Sequence, residues 1–264
     1  MNRIVHISDL HFGRQVPDIV AHLLLRIDEY EPDLIVITGD ITQRATTRQY
    51  RLAQTFLKQL NHPYLVVPGN HDISIHRLFR RFHHPWNRWR KMICSDLEPV
   101  FQTDQLFVGM INTVRLTGYR LNWSRGRVNK TQTDRLFKRM ADVPKTAVRI
   151  IAAHHPFWLP REEEHRHLVA GARDALPVFQ AAGVDLILGG HIHTGFTHVE
   201  GGMIICHAGS TTSDRVKGSK TNSFNLISGN TNRLDIRRIQ WDGTGFFSEA
   251  VKRFKRTAAG WAGK

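Results

Sequence analysis

The chain has 264 residues, of which 41% are hydrophobic and 23% charged, so its composition excludes a disordered protein and allows a sizeable core. Its 37 lysines and arginines outnumber its 23 acidic residues, and the formal charge of +14 favours anionic partners: nucleic acid, nucleotides, phosphorylated lipids or an acidic membrane surface. The only cysteines, Cys94 and Cys206, exclude a disulfide-stabilised scaffold.

The first half of the chain alternates short apolar strands with amphipathic helices. We predict strands at residues 4–8, 34–37 and 64–68, and helices at about 18–29 and 46–60. Residues 34–37 form a continuous apolar run, as in strands buried on both faces. This alternation predicts βαβ units and a largely parallel sheet within one domain that spans residues 1–264.

The second half continues the alternation of strands and helices and then contains only short strands. We predict strands at 106–111, 148–153 and 184–188, a helix from Thr131 as its N-cap through Met140, and a helix at 175–182. Short strands at 203–206, 223–227 and 234–239 then follow between Gly, Ser and Asn loops. They predict antiparallel hairpins that extend a second sheet.

Two basic segments with interleaved aromatic residues stand apart. Residues 74–105, which include Trp86 and Trp89, indicate a helical, cap-like insertion near a site. Residues 246–262 place Phe254 and Trp261 at helical spacing among basic residues and predict a basic amphipathic C-terminal helix. Each segment either packs on the body of the protein or contacts an anionic substrate or membrane, and the sequence leaves both alternatives open.

No long apolar run of a signal peptide precedes the first strand, and no stretch approaches the roughly 18–20 apolar residues that a membrane span needs. With the scarcity of cysteine, this predicts a cytoplasmic protein, at most peripheral at the inner face of the membrane. The sequence leaves the oligomeric state open.

Five predicted strands end in side chains that bind hard or borderline metals. These are Asp9 and His11, Asp40, Asn70 and His71, His154 and His155, and His191 and His193. Beyond a strand end the chain curls, so residues two apart can converge on one site. Oxygen and imidazole ligands suit Mn, Fe, Zn or Mg. The set is too large for one ion, but two ions sharing a carboxylate would use it, as in sites that displace phosphoryl groups.

These residues resemble the signature of the calcineurin-like metallophosphoesterases in every block. The matching blocks are Asp9-X-His11, Gly39-Asp40, Gly69-Asn70-His71-Asp72, His154 and Gly190-His191-X-His193. Within that superfamily the chain looks most similar to bacterial class III cyclic-nucleotide phosphodiesterases. The resemblance implies an α/β fold, a four-layer α/β/β/α sandwich with two mixed sheets, and metals at the carboxyl edges of the sheets.

The resemblance also implies the cofactors and their ligands. Two divalent or mixed-valence ions (Mn, Fe or Zn) would share Asp40 as a bridge. Asp9, His11 and His193 would complete one site, and Asn70, His154 and His191 the other. His71 would donate a proton to the leaving group, and Asp72 either orients His71 or has a structural role in the turn. Asn70, Arg115, His155 and Trp86 are the expected substrate contacts.

The function implied is hydrolysis of a small phosphodiester, such as a cyclic nucleotide, by a metal-activated water. A second hypothesis is a pyrophosphohydrolase of a membrane-associated lipid precursor such as UDP-diacylglucosamine, which the two basic segments would suit. A nuclease is a third hypothesis, less favoured because no separate DNA-binding segment is identifiable. A non-catalytic scaffold is the remote alternative, since no ligand of the signature is missing.

Overall fold

A computed structural model describes residues 2–74, 78–116, 124–216 and 221–263. Its strands are β1 (Asn2–Ile7), β2 (Leu34–Ile37), β3 (Tyr64–Val66), β4 (Val100–Gln102), β5 (Leu106–Ile111), β6 (Val148–Ala153), β7 (Leu186–Gly189), β8 (Phe196–Glu200), β9 (Met203–His207), β10 (Ser223–Gly229), β11 (Arg233–Trp241), β12 (Phe246–Ser248), β13 (Lys252–Thr257) and β14 (Gly260–Gly263). Its α-helices are α1 (Pro17–Tyr30), α2 (Thr47–Lys58), α3 (Leu78–His83), α4 (Asn87–Met92), α5 (Lys130–Ala141) and α6 (Ala172–Ala181).

The strands form two mixed sheets. The first has the order β14-β13-β11-β10-β1-β2-β3, with β12 paired to β11, and the second has the order β4-β5-β6-β7-β9-β8. Parallel pairing joins β1, β2 and β3 in the first sheet and β5, β6, β7 and β9 in the second. The parallel strands of each sheet therefore end at a common edge, which is where ligands sit in open α/β sheets.

Helices cover the outer face of each sheet. Strand β2 shows why all four of its residues are apolar: Ile35 and Ile37 pack with helices α1 and α2, whereas Leu34 and Val36 pack against the second sheet. On the far side, α5 and α6 bury Leu136, Phe179 and their neighbours against the second sheet. The predicted four-layer α/β/β/α sandwich is confirmed.

One helix boundary differs from the prediction. Helix α5 begins at Lys130, and its N-cap is Asn129, not Thr131. The Asn129 side chain accepts a hydrogen bond from the backbone N–H of Gln132, and the Gln132 side chain accepts one from the backbone N–H of Asn129, each at 3.0 Å. This reciprocal capping box satisfies two helix-end donors at once, which Thr131 two residues later cannot do.

The predicted C-terminal helix over residues 246–262 is wrong. This segment forms β12, β13 and β14, which extend the first sheet through β11. Phe254 and Trp261 are buried in the core between the sheets, and Gly260, at φ +109°, begins the last strand of a tight hairpin. A short helix is marginal by itself, whereas the edge of β11 supplies a row of backbone hydrogen-bond partners. The late hairpins extend both sheets, because β8 and β9 join the second.

The basic-aromatic segment at 74–105 is only partly helical. It contains α3 and α4, but residues 100–102 form the edge strand β4, and residues 75–77 lie outside the described ranges. Trp89 is fully buried in the core beneath α2, and Trp86 packs against the same core. The described part therefore packs on the body of the protein. Among the described residues, no helix is both long and apolar enough to cross a lipid bilayer.

Candidate metal centre

The loops after β1, β2, β3, β6 and β7 bring the predicted site residues together. Five of these residues have a left-handed backbone, with φ between +48° and +73°: Asp9, His11, Asp40, His191 and His193. Two backbone hydrogen bonds tie the first loops together, from the N–H of Asp9 to the carbonyl of Gly39 (3.1 Å) and from the N–H of His11 to that of Asp40 (2.9 Å). The left-handed turns aim side chains two residues apart into the same space, and such strain is typical of functional sites.

One group of ligand atoms is formed by Asp9, His11 and His193. The Nε2 atoms of His11 and His193 lie 3.1 Å apart, and each faces Oδ1 of Asp9, at 3.6 and 3.3 Å. That oxygen is buried and has no hydrogen-bond partner within the described ranges. An unpartnered carboxylate oxygen away from water is costly, and a cation beside it would compensate the cost.

A second group lies around Asp40 and His154. Nδ1 of His154 donates to the carbonyl oxygen of Thr38 (2.7 Å), because a carbonyl can only accept. Nε2 therefore points the other way, towards Oδ2 of Asp40 (3.3 Å), Oδ1 of Asn70 (3.2 Å) and Nδ1 of His191 (3.3 Å). In this tautomer Nε2 carries no hydrogen, yet it faces two oxygens that can only accept. A proton or a metal ion must therefore lie between Nε2 and these oxygens.

The electrostatics show the same attraction for positive charge. Burial opposes a charged His154, but the carboxylates of Asp40 and Asp9 outweigh it and raise the pKa of His154 to about 9. Burial would also raise the pKa of Asp40, yet the surrounding histidines hold it well below the ordinary value. His191 behaves oppositely, since burial and the neighbouring His154 lower its pKa to about 3, which keeps it neutral and able to ligate.

Gly69 and Gly190 leave the space that the carboxylates of Asp40 and Asp9 occupy. A Cβ at Gly69 would lie 2.8 Å from Cγ of Asp40, and a Cβ at Gly190 would lie 2.6 Å from Oδ2 of Asp9. Any side chain at either position would displace an acidic group. The glycine that precedes each ligand motif is therefore a packing requirement of the site.

The residues present fit a pair of cations. The unpartnered Oδ1 of Asp9 and the acceptors that face one another around His154 define two adjacent positions for positive charge. Asp40 lies between them, since its Oδ2 is 3.9 Å from Nε2 of His11 and 3.3 Å from Nε2 of His154. The donor set of carboxylate, amide and imidazole atoms suits borderline first-row metals.

Residues 2–195 match the family model of the calcineurin-like phosphoesterases. The chain belongs to this family. The match covers both halves of the site, from Asp9 to His193, and the family relation accords with the fold and with the clusters that could hold metal ions.

Curated calcineurin-like relatives differ in what they are named for. The chain is 27% identical to a probable glycerophosphodiester phosphodiesterase GpdQ of Arcobacter nitrofigilis, over 48% of this chain and 52% of that protein. It is 23% identical to the 3',5'-cyclic adenosine monophosphate phosphodiesterase CpdA of Escherichia coli K12, over 72% and 69%. It is 37% identical to the UDP-2,3-diacylglucosamine pyrophosphatase LpxG of Chlamydia muridarum, over 27% and 23%. The chain thus spans about half the length of the first relative and less of the third.

Solved structures share the architecture at low identity. The purple acid phosphatase PPD1 of yellow lupin superposes with a TM-score of 0.69 over 95% of this chain and 53% of that one, at 12% identity. GAP50, the inner-membrane-complex anchor of Plasmodium, superposes with a TM-score of 0.62 over 95% and 88%, at 14% identity. These likenesses concern the fold alone.

His71 lies beside the two groups of ligand atoms. Its backbone N–H donates to Oδ1 of Asp40 (2.8 Å), and its Nδ1–H donates to the carbonyl of Gln43 (2.8 Å). Nε2 is therefore the atom presented to the site, where it lies 3.3 Å from Nη1 of Arg215. The ring is held by backbone groups and leaves one nitrogen for chemistry.

The candidate orienting role of Asp72 receives no support from the structure. Its buried carboxylate accepts hydrogen bonds from the backbone N–H groups of Thr42 (2.8 Å), Gly69 (2.9 Å) and Ile41 (3.2 Å). Burial and the charge of Asp40 raise the pKa of Asp72 to about 6, against these hydrogen bonds. Asp72 joins the loop after β2 to the turn that carries His71, which is the structural role.

We therefore expect Asp72→Ala to act on stability. Three buried N–H groups would lose their acceptor at about 1–3 kcal/mol each, so the free energy of unfolding should fall by at least about 3 kcal/mol in urea denaturation. The exposed Asp142→Ala should stay within about 0.5 kcal/mol of the parent. An Asp72→Ala protein of parental stability with greatly reduced turnover would restore the orienting role.

Three predicted substrate contacts do not line the cavity at the site. Trp86 packs in the helical layer beside α2. Arg115 is half-buried, and its backbone carbonyl accepts from Arg81 (2.9 Å). His155 is buried beside His154 and His191, with which it forms a cluster of possible ligand atoms; its Nδ1 pairs with the hydroxyl of Thr113 (2.7 Å), and burial holds its pKa well below the ordinary value. Asn70, by contrast, lines the cavity.

Sequence reasoning missed the cationic lining of this cavity. The cavity has a volume of about 910 Å³ and includes five arginines: Arg14, Arg44, Arg125, Arg166 and Arg215. Arg14 pairs with Asp214 and Arg166 with Glu163. Within the described ranges, Arg44 and Arg125 have no carboxylate partner. The overall charge of +14 was a general signal for this lining, but loops far apart in sequence supply it.

Proposed function

We propose that the chain is a dinuclear metal-dependent phosphodiesterase. The observation that carries the proposal is the convergence of seven side chains with possible ligand atoms around Asp9 and Asp40, beside a cationic cavity. Asp9, His11, Asp40 and His193 would hold one ion. Asp40, Asn70, His154 and His191 would hold the other. When bound, such a pair of ions supplies Lewis acidity and lowers the pKa of bound water towards neutral.

The chain's own residues would supply the rest of the reaction. The arginines of the cavity attract an anionic phosphoester and repel cationic competitors. His71, fixed through Nδ1, presents Nε2 and, in its imidazolium form, would give the Nε2 proton to the leaving oxygen. Thr38 orients His154 by accepting from Nδ1, a carbonyl contact that is typical of metal-ligating histidines.

A small diester, such as a cyclic nucleotide, is the preferred substrate. The relatives named as diesterases support this choice, and the cavity has room for a nucleotide. The test is hydrolysis of bis-p-nitrophenyl phosphate against p-nitrophenyl phosphate by protein loaded with Mn, Fe or Zn. We expect the diester to be preferred. A monoester preference would contradict the diesterase assignment, and no turnover with any of these metals would favour a scaffold.

One observation favours a second candidate, a pyrophosphohydrolase. Arg44 and Arg125 line the cavity without a carboxylate partner in the described part of the chain, as a substrate with a second charged phosphate would require. Hydrolysis of a nucleoside diphosphate sugar in preference to cyclic AMP would select this candidate. The C-terminal segment gives it no support, because residues 246–263 are strands of the sheet.

A further inference from the structure

Arg215 lies directly over the site and has no anionic partner within the described part of the chain. Its Nη1 is 3.2 Å from Nε2 and 3.3 Å from Nδ1 of His11, so the guanidinium rests on the face of that ring. The same atom is 3.3 Å from Nε2 of His71 and 3.5 Å from Oε1 of Gln43. A guanidinium has five N–H donors, and among the described residues no carboxylate oxygen accepts from any of those of Arg215.

The residues just before Arg215, at 210–214, are attached to the loops of the site. The hydroxyl of Ser210 donates to the carbonyl of Asp9 (2.9 Å), and that of Thr212 donates to the carbonyl of Leu10 (2.8 Å). The backbone N–H of Asp214 donates to the carbonyl of Arg14 (3.0 Å), whose side chain forms an ion pair with Asp214 (2.7 Å). Arg215 is therefore placed by the same framework that places Asp9 and His11.

A cation at this position is electrostatically unfavourable unless an anion joins it. Arg215 touches a histidine of one ligand group, and any metal ion held there would repel the guanidinium. A phosphoryl group would remove this repulsion, because its non-bridging oxygens carry negative charge and can accept hydrogen bonds from the guanidinium. Charge-assisted hydrogen bonds of this kind are about twice as strong as neutral ones, so Nη1 would leave the imidazole of His71 for the phosphoryl oxygen.

We propose that Arg215 is a catalytic residue that binds a non-bridging oxygen of the scissile phosphoryl group next to His71. This inference rests on the proposed phosphoesterase function and adds a residue to it. The guanidinium would orient the phosphoryl group for in-line attack and would neutralise the negative charge that develops on its oxygens. It would also release Nε2 of His71 at the moment when substrate arrives.

The main test compares Arg215→Ala with the parent on bis-p-nitrophenyl phosphate. We expect kcat/KM to fall about 10²-fold, as for removal of one preorganised donor to a developing anion. Arg215→Lys should be intermediate, because it keeps the charge and loses the planar fork. Added guanidinium chloride at millimolar concentration should restore part of the activity of Arg215→Ala, which a structural role would not allow.

Two binding measurements separate this proposal from the proposed function. Calorimetry with inorganic phosphate should show weaker binding to metal-loaded Arg215→Ala than to the parent. The metal affinity of the variant should be equal or higher, since a neighbouring positive charge is gone. If the parent hydrolyses no phosphoester, the proposed function fails. If the parent is active and Arg215→Ala matches it in turnover and phosphate affinity, the role of Arg215 alone is wrong.

Two arginine controls address general electrostatics. Arg253, exposed on β13, lies outside the cavity, and Arg253→Ala should match the parent in every measurement. Arg125 lines the cavity without a contact to His11 or His71 among the described residues, and Arg125→Ala should lose much less activity than Arg215→Ala. Equal losses for Arg125→Ala and Arg215→Ala would assign the effect to the overall potential of the cavity and overturn the proposal.

Discussion

Asp40→Asn is expected to lose both metal and turnover. Asp40 lies near both groups of ligand atoms, with Oδ2 close to His11 and His154 and Oδ1 accepting from the N–H of His71. The substitution removes the charge that holds two cations together. Because loss of a supporting partner alone costs 10–100-fold in metal affinity, loss of this group should cost at least about 10²-fold.

Metal content by atomic emission, measured beside kcat/KM, checks the Asp40 prediction. Asp104→Asn is the matched control, since Asp104 is exposed before β5, at the opposite end of that strand from the site. The control should retain the metal content and turnover of the parent. An Asp40→Asn protein carrying two ions per chain would remove the bridging role.

His71→Ala is expected to keep its metal and lose most of its turnover. The imidazole is held by the carbonyl of Gln43 and does not belong to either group of ligand atoms. If Nε2 donates the proton to the leaving oxygen, kcat should fall by about 10²–10⁴-fold. The loss should be smaller for a diester with a p-nitrophenol leaving group than for one with an alcohol leaving group, because the better leaving group needs less help from an acid.

Steady-state kinetics on two diesters, with metal analysis of the same samples, checks the His71 prediction. His22→Ala is the control, since His22 is exposed on α1. Parental turnover in His71→Ala would exclude the proton-donor role. A loss of metal together with activity would instead make His71 part of the metal-binding framework.

The ligand set could be predicted because it is written into local sequence. Each candidate ligand follows a buried apolar run within a few residues, as with Asp40 after β2 and His154 after β6. Parallel strands end at one edge, so these residues had to meet. The glycines before Asn70 and His191 belong to the same local pattern, since each leaves room for a carboxylate.

The C-terminal segment and Asp72 could not be assigned in this way. Phe254 and Trp261 fit a helical face as well as alternate strand positions, and only the open edge of β11 decides between them. Asp72 stands beside His71 in sequence, yet two of its three backbone partners, Ile41 and Thr42, lie about thirty residues away. Neighbours in a turn can point in opposite directions, so adjacency to His71 said nothing about contact.

The sequence by itself determined the α/β layering and which side chains meet at the metal centre, because both follow from hydrophobic period and from where strands end. Only the tertiary structure decided what surrounds that centre. Arg215 reaches His11 and His71 across more than 140 residues of chain, through a loop held by buried hydroxyl groups. Such contacts depend on how two sheets pack, and no local pattern carries that information.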